Sequence, residues 1–217
     1  MKLVLEKGQR LYFTSDSHYG HHNICSATTK WVDAEDMTRD FESLDSMNDM
    51  LVDNINKLVG ENDILFHLGD WSFGGFDNIR KFRERIACKN IHLVLGNHDH
   101  HIANNKDGVQ SLFSSVNNYV FLDVRVPINK NHNDRHAFVL CHFPIASWDS
   151  MNTGVLHLHG HTHLPPHLRI AAGRAMDIGM DGNGLEPIEY TEVVNLLKDR
   201  PIRKLSLPTD HHEKRLI

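Results

Sequence analysis

Ile91-His92-Leu93-Val94-Leu95-Gly96-Asn97-His98-Asp99 joins two kinds of sequence. The first half is an apolar run of the sort that forms a buried strand. The second half starts at a glycine and presents an amide, an imidazole and a carboxylate in consecutive positions. Core packing explains the apolar run but not the polar triplet after it. Those three side chains offer a metal-binding oxygen, a titratable proton donor and a carboxylate able to orient that donor.

The same grammar recurs on both sides. Upstream, Arg10–Thr14 runs into Ser15-Asp16-Ser17-His18, and Asp63–Phe66 into His67-Leu68-Gly69-Asp70. Downstream, His136–Cys141 stops at His142, and Gly154–Leu158 at His159-Gly160-His161-Thr162-His163. Taken singly, an Asp-x-His or a Gly-Asp is more often an ordinary turn than a ligand pair. Recurrence at five strand ends is harder to read that way, because α/β proteins gather functional groups at the carboxyl ends of sheet strands.

The intervening segments complete the frame. Lys2–Leu5 and Arg10–Thr14 read as a hairpin through Gly8. From Asp36 to Val59, the spacing of Phe41, Leu44, Met47, Leu51, Ile55 and Leu58 predicts an amphipathic helix ended by Gly60. Asp77 is a candidate N-cap for a helix with Ile79, Phe82 and Ile86 on one face. A short helix is expected around Val109–Phe113, strands at Val120–Ile128 and Ala175–Ile178, and a helix at Thr191–Leu197. Early β/α alternation followed by strands predicts an α/β fold with a partly parallel sheet and a later antiparallel portion. The expected domain is 1–204, with 205–217 as a C-terminal tail.

Composition narrows the function classes. A chain of 217 residues can bury one sizeable core. No apolar run approaches the roughly 18 residues of a membrane span, and Met1–Leu5 is too short for a signal-peptide core. A cytoplasmic protein with no membrane partner is the expectation. Three cysteines without Cys-x-x-Cys spacing argue against a disulfide framework and a thiolate zinc site. A net charge of −5 supplies no basic field to recruit a polyanion. The unusual feature is 18 histidines, many directly following apolar runs.

Carboxylates, an amide oxygen and several imidazoles make a mixed donor set. It suits Mn²⁺, Fe²⁺, Zn²⁺, Co²⁺ or Ni²⁺ better than Ca²⁺. The donors are too many for one four-coordinate ion and enough for two that share a carboxylate. Two divalent ions against Asp16 and Asp70 leave roughly +2, which favours an anionic, phosphate-like substrate.

In order and spacing, Asp16-Ser17-His18, Gly69-Asp70, Gly96-Asn97-His98-Asp99, His142 and Gly160-His161-Thr162-His163 resemble the five-motif signature of the calcineurin-like metallophosphoesterases. The small size and the Gly20-His21-His22-Asn23 stretch resemble compact stand-alone phosphoesterases of bacteria and their phages. The resemblance implies a four-layer α/β/β/α sandwich of two mixed sheets flanked by helices. It implies two divalent ions, Mn²⁺ favoured, with Asp16, His18, Asp70 and His163 on one and Asp70, Asn97, His142 and His161 on the other. It further implies attack by a metal-bridging hydroxide, with His98 assisting the leaving group and Asp99 orienting His98. His21, His22 and Asn23 are candidate substrate contacts or loop-ordering residues.

The substrate expected is a small phosphate ester or nucleotide, with a slight preference for diesters; a nucleic-acid end also fits. A monoesterase or nucleotidase, or a catalytically silent metal-binding module, remains open, as does the oligomeric state. A metallo-β-lactamase-like hydrolase fits less well, because Thr162 stands where that motif needs an aspartate. His157 and His159 share a strand face, either as partners of the metal ligands or as packed residues. His100 and His101 are expected to stay solvated, and Asp177 and Asp181 to lie near the site without ligating. Trp71 and Trp148 are read as packing rather than base-stacking residues.

Overall fold

The computed structural model describes residues 1–25, 39–129 and 132–202. The tail at 205–217 and the expected first residues of the long helix, 36–38, lie outside them. In chain order the described elements are β1 (Lys2–Val4), β2 (Leu11–Thr14), α1 (Leu44–Leu58), β3 (Ile64–His67), α2 (Phe76–Arg85), β4 (Asn90–Val94), α3 (His100–Ala103), β5 (Ser115–Asn117), β6 (Val120–Asn129), β7 (His132–Leu140), β8 (Leu156–His159), β9 (Ala175–Asp177), β10 (Ile188–Glu189) and α4 (Tyr190–Leu197). They build two mixed five-stranded sheets with flanking helices, ordered β1-β6-β7-β8-β9 and β10-β2-β3-β4-β5. The α/β expectation holds.

Strands β2, β3, β4 and β5 run parallel, and β10 adds antiparallel to β2. In the other sheet β6 and β7 form the antiparallel pair, while β1 joins β6, and β8 and β9 extend from β7, all in parallel. Alternation along β2 and β3 divides the core. Leu11, Phe13, Ile64 and Phe66 pack between the sheets with Leu122, Phe138 and Leu158. Tyr12 and Leu65 face the opposite way, onto Met47, Leu51 and Ile55 of α1 and Phe82 of α2. Both faces of these strands are buried, so they read as continuous apolar runs.

Several local expectations change. β1 and β2 do not form a hairpin: each takes a parallel partner in a different sheet, and Gly8 (φ 85°) carries the chain across. The long helix starts at Leu44, because Ser43 and Ser46 form a reciprocal cap in which each side chain accepts the other's backbone N–H, at 3.1 and 3.2 Å. α2 starts one residue before Asp77, with Gly75 (φ 78°) as its N-cap. His100 opens α3 and stays exposed as expected, whereas the His101 ring packs 4.8 Å from Phe76. The expected short helix is a 3-10 turn over Lys106–Leu112. Trp71 is fully buried, and Trp148 packs on the outer face of the β6–β7 sheet with Val139, Met151 and Val155. No described helix is long and apolar enough to cross a membrane.

Candidate metal centre

The five polar clusters follow β2, β3, β4, β7 and β8, and the two sheets bring them to one edge. Main-chain bonds stitch that edge together. Asp16 N–H donates to Gly69 O (2.9 Å), His18 N–H to Asp70 O (3.0 Å), Gly160 N–H to His142 O (2.9 Å) and Met180 N–H to Ser15 O (3.0 Å). Asp16, Asp70 and His142 are almost completely buried, as is the His18 ring.

Two groups of donor atoms result, Asp16/His18/His163 and Asp70/His142/His161, each with its atoms within 4.8 Å of one another. In the first, the Nε2 atoms of His18 and His163 are 3.1 Å apart, with Asp16 Oδ1 3.9 and 3.8 Å away. Asp70 Oδ2 lies between the groups, 3.6 Å from His18 Nε2 and 3.5 Å from His142 Nε2. Asn97 Oδ1 is 3.0 Å from His142 Nε2. Donors about 2.1 Å from a common ion stand about 3.0–3.4 Å apart; the His18–His163 and Asn97–His142 separations match such edges, and those to the Asp16 and Asp70 carboxylates are a few tenths of an ångström longer.

The tautomers are equally telling. His142 Nδ1 is 2.7 Å from Leu68 O, which can only accept, so the proton sits on Nδ1. Nε2 then faces two oxygen atoms, Asn97 Oδ1 and Asp70 Oδ2. His163 repeats the pattern: Nδ1 donates to Asp181 Oδ2 (2.8 Å), and Nε2 faces His18 and Asp16. Such converging nitrogen and oxygen atoms in a buried space are stabilised by a proton or a cation between them. Burial pushes the Asp16 carboxyl up to about 7 despite the neighbouring imidazoles. A bound cation would reverse that. The donor set therefore fits divalent ions.

The backbone is strained where the donors emerge. Asp16, His18, Asp70, His161 and His163 all have positive φ, between 48° and 71°, leaving only Asn105, Asp107, Ser150 and Leu185 as other described non-glycine residues in that region. Left-handed backbone at a residue with a Cβ costs on the order of 1 kcal/mol and persists where the surroundings impose it, commonly at functional sites. Gly96 and Gly160 are the complement: a Cβ on either would collide with the Asp70 or Asp16 carboxylate.

His98 sits at the rim. Its side chain is 44% exposed, its Nε2 is 4.0 Å from Asp70 Oδ2, and its backbone N–H donates to Asp70 Oδ1 (2.9 Å). The expected Asp99–His98 pairing is replaced by another arrangement. Asp99 is buried and accepts three backbone N–H bonds, from Asp70 (2.8 Å), Trp71 (2.9 Å) and Gly96 (2.8 Å). It braces the loop that presents Asp70 and Asn97. His21 is half-buried and stacks 3.7 Å from Phe73, whose ring lies 4.7 Å from His98. His22 and Asn23 belong to a 3-10 turn on the solvent side. On the opposite side the Phe143 ring, 42% exposed, stands edge-on to His142 and His161.

Two supports, His67 and Arg39, were not identified from sequence, and the two readings left open for His157 resolve to the packed one. Buried His67 links two clusters, accepting from Gly69 N–H (3.3 Å) and bonding Ser17 Oγ (2.7 Å). His157 bonds Val139 O (3.1 Å) and accepts Ile145 N–H (3.4 Å), which makes it a structural histidine. Fully buried Arg39 carries no motif signal at all, yet pairs with Asp181 beneath His163. Burial alone would raise the Asp181 carboxyl, but Arg39 and His163 hold it far below the usual carboxylate range. Asp177 accepts from Thr162 Oγ1 (2.5 Å) and Gly179 N–H (2.7 Å), fixing the turn between His161 and His163.

No protein-family model matches the chain. An uncharacterized protein of Methanocaldococcus jannaschii is 24% identical over 203 residues, covering 91% of this chain and 97% of its own length. The Gene 66 protein of Mycobacterium phage L5 is 27% identical over 199 residues, covering 80% and 87% respectively. A crystal structure of a protein of unknown function from Aquifex aeolicus superposes with a TM-score of 0.59 at 20% identity, over 88% of this chain and all of that one. That likeness concerns the fold, and none of the three names states an activity.

Proposed function

We propose that the chain is a dinuclear metal-dependent phosphoesterase of the calcineurin-like kind, with phosphodiesters as the favoured substrates. The observation that carries this reading is the convergence of carboxylate, amide and imidazole donor atoms from five strand ends into two clusters that meet at Asp70. When bound, two divalent ions would activate water and neutralise charge on phosphoryl oxygens.

The chain's own residues supply the rest. Asp16, His18, Asp70 and His163 hold one ion, and Asp70, Asn97, His142 and His161 the other. Leu68 O and Asp181 hold Nδ1 of His142 and His163, so those two rings already turn Nε2 toward the site. His98, exposed beside the clusters but tied to Asp70 through its backbone, donates a proton to the leaving oxygen. That role suits a diester, whose alkoxide is a poor leaving group. The rim position of His98 and the exposure of His161 describe an open site suited to a small diester, a nucleotide or a nucleic-acid end.

The test is a turnover screen of chelator-stripped and Mn²⁺-restored protein on aryl monoesters, linear diesters, cyclic nucleotides and nucleic-acid ends. Hydrolysis that vanishes with chelation and returns with Mn²⁺ is expected. Metal-replete protein inactive on every phosphate ester would sink the proposal.

A further inference from the structure

Arg39 lies in none of the five clusters, just before α1, yet its guanidinium is fully buried beneath them. Nε and one Nη2 proton form a fork onto the Asp181 carboxylate, at 2.9 Å to Oδ1 and 3.1 Å to Oδ2. The remaining donors go to main-chain carbonyls of the first cluster, Nη2 to Asp16 O (2.6 Å) and Nη1 to Ser17 O (3.0 Å). Asp181 Oδ2 in turn receives His163 Nδ1–H at 2.8 Å. One planar cation thus touches the backbone that presents Asp16 and His18 in left-handed conformation, and reaches the His163 ring through one carboxylate.

The other donor group has separate supports. Asp70 and Asn97 hang from the loop braced by Asp99, and His142 is oriented by Leu68 O. The Arg39 guanidinium bonds Asp181 and the Asp16 and Ser17 carbonyls, and Asp181 receives His163 Nδ1–H, all on the Asp16/His18/His163 side. The two halves are joined to each other by His18 N–H to Asp70 O (3.0 Å) and by His161 N–H to the Asp16 carboxylate (3.0 Å), but the Arg39 guanidinium bonds only the first.

Resting on the dinuclear reading above, we infer that Arg39 is a positioning residue, acting through Asp181 and the Asp16–Ser17 carbonyls to build the Asp16/His18/His163 half of the centre and not the Asp70/His142/His161 half. Only a bidentate guanidinium serves. A lysine in its place keeps the charge but cannot grip a carboxylate and two carbonyls in one plane. An asparagine at 181 keeps the shape but weakens the bond that orients the His163 ring through Nδ1.

The test is calorimetric titration of Mn²⁺ into metal-free wild type, Arg39→Lys and Asp181→Asn, with folding of each checked by circular dichroism. Wild type should bind two ions. In each variant one binding step should weaken by about 10–100-fold, the range seen when outer partners of metal ligands are removed, while the other step is unchanged. A general loss of stability would lower both steps together, so the selectivity separates positioning from packing. If Arg39→Lys does not fold, Asp181→Asn carries the test. Equal weakening of both steps, no weakening in a folded variant, or failure of both variants to fold would overturn the inference. Wild type binding fewer than two ions would instead overturn the dinuclear reading on which it rests.

Discussion

Replacing Asp99 by alanine should unfold the metal-free protein far more readily than replacing His98. The Asp99 carboxylate is 2% exposed and accepts the N–H groups of Asp70, Trp71 and Gly96 at 2.8–2.9 Å. Alanine leaves three buried donors without an acceptor. At about 1–3 kcal/mol for each orphaned group, partly offset by water entering the gap, the loss is about 3–5 kcal/mol. For a domain of this size that lowers the melting temperature by about 6–20 °C. The His98 side chain is 44% exposed, so His98→Ala should change stability by only about 0.5 kcal/mol or less. Chelator-treated proteins, melted side by side by circular dichroism, separate the alternatives without interference from bound metal. An Asp99→Ala protein that melts within about 2 °C of wild type would refute the bracing role and return Asp99 to the service of His98.

The remaining predictions concern the strand ends and two buried histidines. Gly160→Ala, whose Cβ would strike Ser15 Oγ and Asp16 Oδ2, should weaken metal binding and lower stability by about 1–3 kcal/mol; a folded variant with unchanged Mn²⁺ affinity would contradict the close-approach reading. His98→Ala should keep both ions and slow turnover on a diester by about 10²–10⁴-fold, and undiminished turnover would remove its role as proton donor. Burial depresses His157 to about 4, assisted by His159, and His67 to about 3, assisted by His142, from 6.5 in the unfolded chain. Both are neutral when folded, so unfolding takes up protons below pH 6.5. Their contribution is complete above pH 6.5 and is lost as pH falls toward 4, about 2 kcal/mol each by pH 5. Denaturant melts of wild type and His157→Gln at pH 7.5 and 5.0 should show the variant losing about 2 kcal/mol less over that interval, whereas parallel pH profiles would count against it.

The sheet and the site edge were legible because both are written locally. Strands β2, β3 and β4, buried on both faces, appear as apolar runs, and each stops where polar donors begin. The features hidden from sequence depend on distant partners. Gly8 signals a change of direction, but only the pairing of Lys2 with Asp123 and of Leu11 with Ile64 makes it a crossover instead of a hairpin. β5 and β10 are short, and Ser115–Asn117 and Ile188–Glu189 offer too little periodicity to register. Asp99 adjoins His98 in sequence, which suggested a pair, yet three backbone amides, two from the Asp70–Trp71 stretch and one from its own turn, claim the carboxylate. Arg39 has no neighbourhood signal, since its oxygen partners are 22 to 142 residues away. The left-handed backbone at Asp16, His18, Asp70, His161 and His163 is equally unreadable, because these residue types do not require it.

The proposed chemistry turns on Asp70 sitting between two ions. Crystals grown with Mn²⁺ and measured at the manganese absorption edge test it directly. The prediction is two anomalous peaks about 3.5–4 Å apart, one against Asp16, His18 and His163, the other against Asn97, His142 and His161, with Asp70 touching both. A single peak, or peaks away from Asp70, in crystals soaked to saturation would contradict it.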